Sequence, residues 1–122
     1  MAKTILIADD NPTIRKMLCE MFEAEDDYDL CAEATNGAEA VSLAKQCRPD
    51  LIILDLSMPV INGLEAAREI KRIMPDVPII LFTIHADSIK KSLQAMNSPI
   101  DLVVTKTDMP NLVDHVRTLI PV

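Results

Sequence analysis

An α/β fold, a five-stranded parallel sheet doubly wound by helices, is predicted by three observations. Short apolar runs and amphipathic stretches alternate five times over 122 residues. The connections between them are a few residues each, which calls for right-handed crossovers and a parallel sheet covered on both faces. The middle run, Leu51 to Leu54, is four large apolar residues in a row; that is too short for a buried helix but suits a central strand buried on both faces. Hydrophobic residues are 49% of the chain and aromatics 2%, so the core must be aliphatic. One domain, residues 1–122, is expected, burying roughly two-thirds of its unfolded surface.

Each element has its own justification. Thr4 to Ala8 is a short apolar strand that ends in Asp9-Asp10. Asn11 offers an N-cap and Pro12 suits a first helical turn. Ile14, Met17, Leu18, Met21 and Phe22 then recur at the spacing of one helix face. Glu23 to Asp29 reads as an acidic loop, and Leu30 to Ala34 as an edge strand interrupted by Glu33. Asn36-Gly37 makes a turn, and a helix from about Ala38 to Cys47 is stopped by Pro49. The central strand ends on Asp55, and a loop from Leu56 to Asn62 contains Pro59. Leu64, Ala67, Ile70 and Ile73 mark a third helix, stopped by Pro75. Pro78 to Thr83 is the fourth strand, Ala86 to Met96 the fourth helix, and Asp101 to Thr105 a fifth strand leading to Lys106. Met109 to Ile120 reads as the last helix, with Pro110 in its first turn.

Bulk properties exclude several functions. A net charge of −7 argues against non-specific nucleic-acid binding by this segment and favours cationic partners, metal ions included. Cys19, Cys31 and Cys47 are odd in number and widely spaced, which reads as reduced core cysteines. Met-Ala-Lys-Thr leads straight into a strand, so no signal peptide is expected, and no apolar run approaches the roughly 18 residues of a membrane span. A cytoplasmic protein is the expectation. His85 and His115 read as ordinary loop and helix residues, and Met17, Met21, Met58, Met74, Met96 and Met109 as packing or loop residues.

The expected strand order is 2-1-3-4-5, the flavodoxin-like three-layer (βα)5 sandwich, in which ligands bind at the carboxyl ends of the strands near the switch point. That order sets Asp9 and Asp10 beside Asp55, with Thr83 on the neighbouring strand and Lys106 beyond it. Alone, Asp9 or Asp10 could be a helix N-terminal carboxylate favoured by the dipole. Together, three close carboxylates repel one another, and a hard divalent cation such as Mg²⁺, held by carboxylates, waters and phosphate oxygens, answers that repulsion. Lys106 adds a point charge.

Asp9-Asp10, Asp55, the M-P-x-x-N-G loop of Met58 to Gly63, Thr83 and Lys106 resemble the receiver domain of the response regulators of bacterial two-component signalling, over the whole chain. The resemblance implies that Asp55 takes a phosphoryl group from a histidine kinase or phosphotransfer protein. It implies that Asp10, Asp55 and the backbone carbonyl of Ser57 hold Mg²⁺ while Asp9 helps through water. It implies that Thr83 hydrogen-bonds the phosphoryl group and Lys106 pairs with it, and that hydrolysis resets the domain: a switch, not a conventional enzyme. The family reads phosphorylation on the face of helix four, strand five and helix five. Helix four exposes Lys90 and Lys91 and helix five supplies Asp114 and Arg117, and opposite charges on these neighbouring elements could pair two copies as a homodimer.

Departures from the family lie on the readout side. Val103 stands where receivers carry Tyr or Phe, Ile84 where the residue after the Thr is usually small, and Thr107 where Pro commonly follows the Lys. The approach to strand five, Ser98-Pro99-Ile100-Asp101, lacks both usual glycines. Two functions from different classes follow: a phosphorylated switch, whose effect on transcription would need a further domain, or a binding module whose output ignores phosphorylation. A phosphatase of the haloacid dehalogenase type is disfavoured, because it needs a second Asp where this chain has Ser57.

Overall fold

The computed structural model describes residues 2–94 and 98–122. Five strands and five helices alternate: β1 Lys3–Ala8, α1 Pro12–Glu23, β2 Tyr28–Ala34, α2 Gly37–Cys47, β3 Leu51–Asp55, α3 Gly63–Ile73, β4 Ile79–Thr83, α4 Ala86–Gln94, β5 Leu102–Thr105 and α5 Leu112–Leu119. All strand pairings are parallel, in the order β2-β1-β3-β4-β5. This is the flavodoxin-like arrangement the alternation predicts.

Side chains along a strand point to opposite faces in turn, and the core divides accordingly. Leu6, Ala8, Ile52, Leu54, Ile79 and Leu81 pack under α2, α3 and the Leu93 end of α4. Ile5, Ile7, Leu51, Ile53, Ile80, Phe82 and Val104 pack under α1 and α5. β3 and β4 are buried at every residue. Both therefore read as unbroken apolar runs, whereas β2 at the edge carries exposed Asp29 and Glu33.

Three helices begin the same way. The Oδ1 atoms of Asn11, Asn36 and Asn62 accept backbone N–H groups of the first turn, from Thr13 and Ile14, from Glu39 and from Glu65 respectively, satisfying donors the helix cannot. The Glu39 side chain reaches back to the Thr35 N–H at 2.9 Å.

Several boundaries shift by one residue from the sequence reading, and four starts differ for an identifiable reason. Tyr28 and Asp29 belong to β2 rather than to the acidic loop, because Tyr28 is buried edge-on against Phe22, with ring centroids 6.1 Å apart. Gly37 and Gly63 are the first helical residues, not turn residues. The last helix starts at Leu112, and Pro110 lies in a preceding 3₁₀ segment, Lys106–Asn111. Asp108 leaves helical φ/ψ there, and Pro110 has no N–H with which to continue an α-type ladder. Met96, the expected end of the fourth helix, lies outside the described residues.

Cys19 is buried and Cys31 and Cys47 are half-buried, all as free thiols. Burial first, then the adjacent Glu33 carboxylate, pushes Cys19 up to about 12. Burial and the neighbouring Cys47 push Cys31 up to about 12. Neither is a thiolate at neutral pH.

Gly63 brings the start of α3 onto the end of β3. Its N–H donates to the Leu56 carbonyl at 2.9 Å, and an added Cβ would collide with the Asp55 carbonyl oxygen, a backbone atom that cannot swing aside. Gly63→Ala is expected to cost about 1–3 kcal/mol, the scale of an overpacked core, read as a lower urea midpoint at unchanged slope. An unchanged midpoint contradicts the close approach.

Candidate functional site

The carboxyl edge of the sheet collects the chemistry. β1 and β3 are neighbours, with Ala8 opposite Leu54, so Asp9 and Asp55 emerge side by side. Thr83 ends β4 opposite Thr105, and Lys106 follows at once. Asp9, Asp55 and Thr83 are the buried polar or charged residues among those described, at 1%, 7% and 2% exposure.

Lys106 closes this edge. Its Nζ lies 2.9 Å from Asp9 Oδ2 and 3.2 Å from Asp55 Oδ1. Asp9 is held at its other oxygen too, which accepts the Asn11 N–H at 2.9 Å. Asp10 stands outside the strand and is exposed. Each of Asp9, Asp10 and Asp55 presents one carboxylate oxygen, and the three oxygens lie within 4.8 Å of one another. A cavity of about 280 Å³ is lined by Asp10, Asn11, Asp55, Ser57, Thr83, Ile84, His85 and Lys106. A larger groove of about 540 Å³ between Arg68, Arg72 and Pro99 lies at the opposite edge of the sheet and contains no part of this cluster.

The electrostatics are unequal for the two partners of the ion pair. Burial, then the charge of Asp9, raises the Asp55 carboxyl above its ordinary range against the pull of Lys106. Burial opposes the Lys106 ammonium as well, but its bond to Asp9 and the charge of Asp55 outweigh that and hold it above the ordinary lysine value. The asymmetry is physical: Lys106 faces two carboxylates, whereas Asp55 faces one ammonium and two carboxylates. The site is short of positive charge, and an all-oxygen cluster of this size suits a hard divalent cation.

The β3–α3 loop is shaped rather than slack. Val60 has φ of 73°, a left-handed conformation that costs a β-branched residue roughly 1–2 kcal/mol. Its side chain is exposed. On the other rim the Thr83 hydroxyl accepts the His85 N–H at 3.1 Å. Ile84 is 69% exposed, so it stands at the mouth of the cavity and does not fill it. His85, expected to be an ordinary loop residue, lines the rim, whereas His115 sits 2.9 Å from Asp108 on α5.

The family model for the response regulator receiver domain matches residues 5–117. The chain belongs to that family. The receiver is 42% identical over 106 residues to protein-glutamate methylesterase/protein-glutamine glutaminase 3 of Paramagnetospirillum magneticum, covering 87% of the receiver and 29% of that protein. It is 39% identical over 83 residues to the uncharacterized transcriptional regulatory protein YhcZ of Bacillus subtilis, covering 68% of the receiver and 39% of that protein. The receiver thus spans less than half of either relative. Among solved structures it resembles the response regulator TrrA of Thermotoga maritima in complex with Mg²⁺-BeF, at TM-score 0.84 and 36% identity over 97% of the receiver and 99% of that chain. The response regulator domain of Thermotoga maritima CheB shares its fold, at TM-score 0.88 and 23% identity over 100% and 98% of the two chains.

All six residues singled out from the receiver's sequence, Asp9, Asp10, Asp55, Ser57, Thr83 and Lys106, meet at this edge. Sequence reasoning passed over Arg15. Its Nη1 donates to the Asp9 carbonyl at 2.8 Å and its Nε lies 3.5 Å from Glu33 Oε1. A signal was present: a cation in the first turns of a helix opposes the macrodipole and needs a partner to hold it there. Arg117, read as half of an intermolecular pair, makes ion pairs at the surface of its own chain. It lies 3.1 Å from Glu25, 3.7 Å from Asp27 and 5.9 Å from the Tyr28 ring centroid.

The raised Asp55 carboxyl sets a pH dependence in metal-free protein. The folded state holds this proton more tightly than the unfolded chain, so ionisation of Asp55 works against folding. The relief is complete below the ordinary carboxylate value near about 4 and is lost as pH rises through the raised one. With a chelator present, Asp55→Asn is expected to melt above the native protein at pH 7, and the gap to close toward pH 4. A variant that melts lower at pH 7 would show that the Lys106 pair outweighs burial.

Proposed function

We propose that Asp55 is the phosphoryl acceptor of a two-component relay, receiving the group from a histidine kinase or phosphotransfer protein. The observation that carries this reading is the Lys106 ammonium seated between Asp9 and Asp55 beside a third carboxylate. Phosphoryl transfer asks little covalent chemistry of a protein; it asks for alignment and charge neutralisation. Asp55 offers a carboxylate oxygen at the end of a rigid strand, facing a solvent-connected cavity. Lys106 neutralises the charge that arrives, and the Thr83 hydroxyl donates a hydrogen bond to the phosphoryl oxygens. The residues that would hold Mg²⁺ are Asp10, Asp55 and the Ser57 carbonyl, with Asp9 acting through water. When bound, the cation supplies charge neutralisation and orients the phosphoryl oxygens. Water attacking the aspartyl phosphate later returns Asp55 to its free state.

Residues 1–122 read as one receiver domain acting in the cytoplasm; no helix among the described residues is long and apolar enough to cross a membrane. No esterase activity is assigned to this segment, which matches 29% of its methylesterase relative. A link to transcription would run through a further domain, since the −7 charge does not favour contact with nucleic acid. The readout is placed on α4, β5 and α5, which is also the surface offered to a second copy. Here Val103 packs against the apolar cluster under α4 and lines a groove of about 270 Å³ with Leu93, Ile100 and Leu102. With no ring to rotate, Thr83 and the Ile84–Ala86 turn carry the signal. That feature also favours the second reading, a docking module whose output ignores phosphorylation.

Two measurements decide. After incubation with acetyl phosphate and Mg²⁺, the intact protein should gain the mass of one phosphoryl group, and Asp55→Asn should not. A label that persists on the variant refutes the acceptor; no label on the native protein leaves the docking module. Ile84→Ala, which opens the mouth, is expected to speed both labelling by small donors and loss of the label. If both rates stay within about twofold, a barrier change under roughly 0.4 kcal/mol, Ile84 does not gate the site.

A further inference from the structure

We infer that Arg15 is a positioning residue for the cation site, acting through the backbone between Asp9 and Asp10 and held in place by Glu33. The inference rests on the cation-binding reading given above.

Asp9 is fixed at four points. Its N–H donates to the Ala34 carbonyl of β2 at 3.1 Å. Its two carboxylate oxygens accept from Asn11 and Lys106. Its carbonyl oxygen accepts from Arg15 Nη1 at 2.8 Å. Asp10 has no such framework: it follows the strand, lies outside the sheet ladder and is exposed. What sets the direction of the chain into Asp10 is the plane of the peptide that joins it to Asp9, and the Arg15 contact is the side-chain hydrogen bond on that peptide's carbonyl.

Arg15 is itself constrained. Its side chain is 18% exposed although it sits one turn into α1. The guanidinium spans from the Asp9 carbonyl to Glu33 Oε1, 3.5 Å away on the edge strand. A half-exposed pair of this length contributes little to stability, but a planar fork bound at two points is oriented. Glu33 interrupts the apolar pattern of β2 because its carboxylate faces Arg15 and lies against the Cys19 thiol. The chain of contacts runs from β2 through Glu33 and Arg15 to the peptide that aims Asp10.

The sign of the effect separates positioning from charge. A guanidinium bonded to the Asp9 carbonyl repels an incoming cation, so if Arg15 acted as a charge alone, its removal would tighten Mg²⁺ binding. If it aims Asp10, its removal weakens binding. Calorimetric titration of Mg²⁺, alongside the Mg²⁺-induced rise in melting temperature, is to be compared for native protein, Arg15→Ala, Arg15→Lys and Glu33→Ala. About tenfold weaker binding is expected for Arg15→Ala, with only part of it restored in Arg15→Lys, which keeps the charge but not the planar two-point fork. Glu33→Ala should shift affinity in the same direction by less. Unchanged or tighter Mg²⁺ binding in a folded Arg15→Ala, whatever its melting temperature, overturns the inference alone. Native protein that binds no Mg²⁺ overturns both this inference and the reading on which it rests.

Discussion

The Lys106 ammonium, 2.9 Å from Asp9 and 3.2 Å from Asp55, joins the last strand of the sheet to a carboxylate beyond β1 across two intervening strands. Two buried acids of like charge cannot sit together unless something offsets their repulsion and their lost hydration. Lys106 does part of this, and the raised Asp55 carboxyl is the measure of what it leaves undone. The cluster of three carboxylates thus keeps more negative charge than the single ammonium offsets.

The rest of the carboxyl edge holds those groups still. Asn11 anchors Asp9, the His85 N–H anchors the Thr83 hydroxyl, and Gly63 lets α3 close on the backbone of Asp55. The left-handed Val60 belongs to the same loop, and its strain is one cost of that shape. The other end of the sheet is tied separately. Asp101 Oδ2 accepts from the Ile79 N–H at 2.8 Å and from Lys71 at 2.9 Å, so β4 and β5 start in register without a glycine-rich approach. Arg117 ties α5 to the α1–β2 loop through Glu25 and Asp27. Arg117 thus already has partners within its own chain.

The alternation of short apolar runs with amphipathic stretches was enough to read a doubly wound parallel sheet, and the flavodoxin-like order expected for it, as observed, brings Asp9, Asp10, Asp55, Thr83 and Lys106 to one edge. That works because topology, once known, places every strand end, and each of these residues lies at one. Boundaries were less legible wherever a side chain's environment overrode its type. Tyr28 looked like loop because acids flank it, yet its ring is buried against Phe22. Gly37 and Gly63 looked like turn residues, yet each is the only side chain small enough to begin a helix against another segment's carbonyl. Pro110 was assigned to α5, although a residue without an N–H fits the 3₁₀ segment before it equally well.

What the sequence by itself determined was the set of elements, their order, and which carboxylates and which lysine arrive at one edge. Those follow from the period of the apolar pattern and the shortness of the connections, both local properties of the chain. Tertiary structure alone decided the charge balance and the aim of the site. That Lys106 spans two acids, that Glu33 holds the Arg15 that grips the Asp9 carbonyl, and that Arg117 pairs with Glu25 all depend on distances between separate elements of the fold. Such distances are settled by how helices pack on the two faces of the sheet, and hydrogen bonds lose their strength within a fraction of an ångström, finer than any spacing along the chain can specify.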